Sequence, residues 1–152
     1  MKKLLLFLSL TLLLVGCAQK TALPKTPDEA ATAALSAFPS DMTFTRADAD
    51  FIETNFDTTG VEDVAVYYAA DGTELGFFSV DPTQKERLVT EIRAYLSGEE
   101  ESVRQLAALY PADELDARLA RFKEAKVGSI GDTIVYYLLT DAEPSRKITQ
   151  SW

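Results

Sequence analysis

The chain has 152 residues with one cysteine, no histidine and 24 acidic against 15 basic side chains. That length makes one ordinary domain, and the lack of histidine removes the commonest general base, zinc ligand and pH switch, with every triad that needs one. A net charge of −9 without a basic stripe excludes a nucleic-acid binder.

Lys2 and Lys3 form a positive head, and Leu4 to Val15 is a run of Leu, Phe and Val broken only by Ser9 and Thr11. Its 12 residues are too few to span a bilayer, which takes about 20; a short apolar run behind a positive head is the layout of a secretory signal. The run ends in Leu14-Val15-Gly16-Cys17. This stretch resembles the lipobox of bacterial lipoproteins. The resemblance implies cleavage between Gly16 and Cys17 and a diacylglyceryl group on the Cys17 thiol. The plainer alternative is an ordinary cleaved signal with Cys17 there by accident. A single leftover thiol in an exported protein is anomalous, and lipidation removes the anomaly. Two or more acyl chains hold a protein to a membrane stably where one does not. No disulfide is then available, so the core alone must stabilise the body.

The expected division is a signal peptide over 1–16, a lipidated Cys17 with its tether over 17–26, and a single domain over 27–152. The ten-residue tether reaches at most about 35 Å. All 24 acids but only 11 of the 15 bases lie from Asp28 onward, a net of −13. Such a body is repelled by anionic headgroups, so its contact with the membrane is expected through the anchor alone.

Thr26, Pro27 and Glu29 carry the signature of a helix start, and the Ala-rich stretch to Phe38 predicts close packing on a sheet, with Pro39 as the stop. Met42 to Phe44 reads as extended. Ala47 to Asn55 reads as a short helix with Phe51, Ile52 and Phe56 inward. Strands are predicted over Glu62–Ala69 and Glu74–Val80, joined by a turn in which Asp71-Gly72 supplies positive φ angles. Asp81-Pro82 opens a long helix whose apolar positions, from Leu88 through Val103 and Leu106 to Tyr110, keep a 3.6 period. Because that phase survives Gly98, one helix is expected rather than two. Asp113 to Ala117 adds a helical turn. Leu119 to Val127 reads as a strand with Phe122 inward, Gly128 to Asp132 as a turn, and Thr133 to Thr140 as the most strand-like stretch in the chain. Pro144 begins a short terminal helix, with Trp152 as a plug at the core edge.

From about Val61 to Ile148 this order of parts, with Ser79-Val80-Asp81-Pro82, Tyr110-Pro111 and Ile134-Val135-Tyr136-Tyr137, resembles a family of short, mainly Gram-positive lipoproteins of unknown function. The resemblance implies a fold and a location; it brings no catalytic residue and no cofactor with it.

The expected architecture is α+β: a mostly antiparallel sheet of about four strands, as two hairpins joined by a long helix, with helices packed on it. The strands are apolar on both faces, so both need cover. Either helices lie on both sides, or one face carrying Tyr67, Tyr68, Phe77, Phe78, Tyr136 and Tyr137 meets a protein partner, a second copy or an apolar ligand. Asp48, Asp50, Asn55 and Asp57 are hard oxygen donors in one short segment. They lack the spacing and central glycine of an EF-hand, which leaves a solvated acidic surface, a weak calcium site or a dock for a basic partner. Glu99-Glu100-Glu101 with Arg104 reads as a solvated helix face.

The leading functional expectation is a lipid-anchored, extracytoplasmic, non-enzymatic binding or interaction module at the cell envelope, with no cofactor. The alternatives are a carboxylate-based envelope hydrolase, which requires a cleft with two facing carboxyl groups and at least one raised pKa, and a weak calcium-responsive module.

Overall fold

The computed structural model describes residues 26–131 and 133–138. Cys17, the expected signal segment, the expected tether before Thr26 and the expected terminal helix with Trp152 lie outside them. The described chain is an α+β domain: α1 (Pro27–Leu35), β1 (Phe44–Arg46), α2 (Ala49–Asn55), β2 (Val61–Ala69), β3 (Glu74–Val80), a 3-10 turn (Pro82–Gln84), α3 (Lys85–Leu109), α4 (Asp113–Glu124), β4 (Lys126–Ile130) and β5 (Thr133–Leu138). The strands form one antiparallel sheet in the order β1-β2-β3-β5-β4. Five strands stand where about four were expected. The extra one, β1, is three residues long, too short to show a period of two in the sequence.

Local chemistry sets the element ends. Thr26 Oγ1 accepts from the Glu29 amide at 3.2 Å, with Pro27 in the first turn of α1. The helix stops at Leu35, short of Pro39, because Ala37 and Phe38 donate three residues back, to Ala34 and Leu35, which tightens the last turn. Asp81 accepts from the Thr83 amide and hydroxyl at 2.8 and 2.6 Å, starting the turn that feeds α3. The helix runs unbroken through Gly98. At the β2–β3 turn only Gly72 takes a positive φ, 87°. Asp71 instead uses its side chain, accepting from the Thr73 amide at 2.9 Å and hydroxyl at 3.0 Å.

The largest departure is α4. A strand was expected over Leu119–Val127, but the helix runs through to Glu124 and the strand begins at Lys126. Asp113, Glu114 and Asp116 in its first turn and Arg121 and Lys123 in its last all suit the helix dipole. Leu115, Leu119 and Phe122 fall at helical spacing. The expected turn over Gly128–Asp132 shrinks accordingly, since β4 extends to Ile130 and Gly131 bends at φ 56°. The two hairpins are therefore joined by a helical pair, α3 against α4. The far end of α3 leaves Leu109 and Tyr110 exposed.

Both faces of the sheet are covered. On one, Ala30, Ala31 and Ala34 of α1 sit on Ala65, Leu75, Phe77 and Tyr137; alanine lets the helix lie close. On the other, Leu88, Ile92 and Leu96 of α3 with Ile52 and Phe56 cover Val66, Phe78, Ile134, Tyr136 and Leu138. The expectation of a partner face is corrected at these positions. Phe77, Phe78 and Tyr136 have no exposed surface and Tyr137 is buried, while Tyr67 is half-buried and only Tyr68, at 39%, is exposed. A two-faced apolar sheet is closed by helices of its own chain.

Candidate functional site

The register of β3 places Glu74, Gly76, Phe78 and Val80 on the face that α3 covers, because alternate residues of a strand share a face. Glu74 pairs across the sheet with Tyr68 on β2 and Leu138 on β5. A carboxyl group thus enters the edge of an apolar layer, where it needs donors. Two phenols supply them. Tyr136 donates to Glu74 Oε1 at 2.5 Å, and Tyr95 on α3 donates to Oε1 at 3.0 Å and to Oε2 at 3.2 Å. Tyr136 reaches Glu74 across Gly76, its neighbour on β3. A side chain there would meet the ring, a Cβ lying 2.0 Å from Cε1.

Glu74 opens into a cleft of about 270 Å³ at the end of the β2–β3 hairpin. Phe51, Tyr68, Tyr95 and Phe122 wall it; Glu99 of α3, Arg118 of α4 and Asn55 of α2 contribute the other polar groups. Phe51 and Tyr68 stack with centroids 6.0 Å apart and planes at 30°, and Tyr95 meets Phe51 edge-on. The stem of Arg118 crosses Gly72, whose missing side chain leaves it room. One turn on, Arg121 is buried and pairs with Asp71 at 3.1 Å, with its Nε and Nη1 unpartnered. It braces the hairpin end that forms one rim.

Burial pushes the Glu74 carboxyl above its ordinary 4.5. The two phenols pull it down, Glu99 adds to the rise, and Arg118 opposes it. Burial likewise drives the Tyr136 and Tyr95 phenols far above their usual range, and the adjacent Glu74 reinforces this. Both tyrosines therefore stay protonated donors. Oε1 takes both close phenols, leaving Oε2 the less occupied oxygen. That oxygen can accept from a ligand as carboxylate, or donate as neutral acid.

A raised carboxyl pKa sets the sign of a pH effect. The folded chain keeps the Glu74 proton to higher pH than the unfolded chain does, so this contribution to stability is complete below about 4.5 and lost as pH rises through the folded value. Against Glu74→Gln, the wild-type melting temperature should fall as pH rises from about 4.5 through the folded value and then run level. Parallel curves for the two proteins between pH 4 and 8 would contradict it. Asp57, Asp81 and Glu101, whose pKa values are lowered by hydrogen bonds, act in both proteins alike and at lower pH.

The proposed calcium donors do not meet. Asp48 caps α2, accepting from the Phe51 amide at 2.9 Å. Asp50 is exposed in the first turn. Asn55, seven residues and about 10 Å along the helix from Asp48, donates to Phe51 O at 2.9 Å. Asp57 accepts from the Thr59 amide at 2.9 Å and pairs with Arg87 at 2.8 Å; Arg87 also bonds Glu91 and the Thr59 carbonyl. Among the described residues no three His, Cys, Asp or Glu side chains are grouped to hold a metal.

Of the six expected partner-face residues, Tyr68 and Tyr136 enter the cleft region and Phe77 and Tyr137 lie under α1. Glu74, Tyr95 and Arg118 were not singled out by the sequence, and Glu99, read with Glu100, Glu101 and Arg104 as a solvated helix face, instead lines the cleft and is half-buried. Glu74 could have been: it shares strand parity with Gly76, Phe78 and Val80, and an acid in phase with core residues is the informative exception. Glu99 lies one helical turn beyond Tyr95 but looks like part of an acidic run.

Among the described residues no helix is long and apolar enough to cross a membrane. No protein-family profile, curated protein or solved structure matches the chain.

Proposed function

We propose that this chain is exported, lipidated on Cys17 and held at the outer face of the cell membrane, where its body is a non-enzymatic module binding a small ligand in the Glu74 cleft. The anchor rests on Leu14-Val15-Gly16-Cys17. The binding reading rests on one observation: a desolvated carboxyl group, held by two tyrosines, opens into an aromatic-walled cleft of about 270 Å³. Aromatic walls with a few convergent polar groups are a common form of small-molecule site. Its size suits a small molecule rather than a polymer segment. With the sheet closed on both sides, the cleft takes the place of the sheet face as the site of interaction.

The test uses the full chain, extracted from bacterial membranes in detergent. Intact mass should show acyl chains on Cys17, and Cys17→Ser should release the protein from the membrane. Native mass spectrometry should show a co-isolated species of a few hundred daltons, lost when Phe122→Ala and Arg118→Gln are combined. An unmodified thiol defeats the anchor. A wild-type protein that retains nothing, and is not stabilised by an extract of small metabolites, defeats the binding reading.

One observation favours hydrolysis instead: Glu99 shares the cleft with Glu74, whose pKa is raised, which is the pairing an acid–base mechanism uses. Against it, both close phenol contacts fall on one oxygen of Glu74, a holding arrangement. Release of soluble fragments from cell-envelope glycan by the wild type, absent with Glu74→Gln, would decide for the hydrolase.

A further inference from the structure

Glu99 and Arg118 both line the cleft, and among the described residues the side chain of neither makes a hydrogen bond or an ion pair within 4.0 Å. They come from different helices, α3 and α4, and both act on Glu74 through space, with opposite sign. The stem of Arg118 occupies the space a side chain at Gly72 would take. Opposite charges therefore face one cavity without closing on each other. A purely cationic ligand would meet Arg118, and a purely anionic one would meet Glu74 and Glu99. A ligand carrying both signs satisfies all three. Aromatic faces favour an ammonium group further, and carboxylate on guanidinium is a strong, often two-pronged pair.

Resting on the reading of the cleft as a binding site, we infer that it takes a small zwitterion of the amino-acid kind. Its ammonium group lies toward Glu74 Oε2 and Glu99, its carboxylate toward Arg118, and its side chain on Phe51, Tyr68 and Phe122. A cleft of about 270 Å³ is below the usual range for drug-sized ligands, which fits a single amino acid.

The experiment is calorimetric titration of the detergent-solubilised full chain with the standard amino acids. The amide and the N-acetyl form of the tightest binder follow. At least one free amino acid should bind, and each blocked form should bind about tenfold or more weaker. Arg118→Gln should erase the preference for free acid over amide but keep the preference for free amine; Glu99→Gln should do the reverse. Circular dichroism of both variants should remain that of the wild type. An amide bound as tightly as the acid, or an N-acetyl form bound as tightly as the free amine, overturns the zwitterion and leaves the binding cleft standing. Failure of every amino acid to bind, while a co-isolated species is still held, does the same. Failure of both removes the two readings together.

Discussion

Gly76→Ala should be the most damaging single methyl group that can be added to this protein, costing about 3 kcal/mol or more, the upper end of what overpacking does. Gly76 has no need of glycine's backbone freedom; it needs the space. An added Cβ would lie 2.0 Å from Tyr136 Cε1 and 2.7 Å from Cδ1 and Cζ. The ring cannot step aside. It is fully buried, its hydroxyl is committed to Glu74, and Phe56, Phe78 and Tyr95 surround it with centroids 6.0 to 6.3 Å away. Moving the ring would also strip the buried Glu74 carboxyl of a donor. Urea unfolding should show the loss, with a melting temperature lower by roughly 10 °C. In the double variant with Tyr136→Val, which removes the clash, the loss should be less than the two single losses combined. A Gly76→Ala protein that melts like the wild type would refute this account of the site.

Phe56→Ala should cost about 3 to 5 kcal/mol, the range for losing a buried phenylalanine. Phe56 is the residue that closes α2, and its buried ring joins Ile52 in docking that short helix, with centroids 5.2 Å from Phe78 of the sheet and 4.8 Å from Tyr95 of α3. A seven-residue helix has little stability of its own, so its position depends on what it buries. Losing Phe56 should loosen α2 and with it Phe51 and Asn55, two walls of the cleft. Hydrogen exchange should then rise over residues 49–55 before the sheet is affected. Phe51→Ala, at a half-buried site, should cost roughly 1 to 2 kcal/mol and leave exchange in α2 near normal. Equal losses from both changes would mean that Phe56 does not carry the docking.

Interactions between near neighbours were legible along the chain. The Thr26-Pro27 start of α1, the Asp71-Gly72 turn, the phase of α3 across Gly98 and the inward side of α2 follow from groups a few residues apart. Where two local patterns competed, the reading went astray. Between Leu119 and Val127 charged and apolar residues alternate closely enough to pass for a strand, while Leu115, Leu119 and Phe122 keep a helical spacing that continues the turn begun at Asp113. The acids of the first turn, the bases of the last and the packing against α3 decide for the helix.

The sequence by itself determined the acidic, histidine-free chemistry and most of the element list, because each depends on composition or on short-range spacing, and the proposed anchor rests on the same kind of local pattern, Leu14-Val15-Gly16-Cys17. Only the tertiary structure decided that helices close both sheet faces and that Glu74 is drawn inward. The partners of that carboxyl, Tyr95 and Tyr136, lie 21 and 62 positions away. A charge can be buried only where donors converge on it, and that convergence depends on strand register and helix packing, which no local stretch of residues specifies.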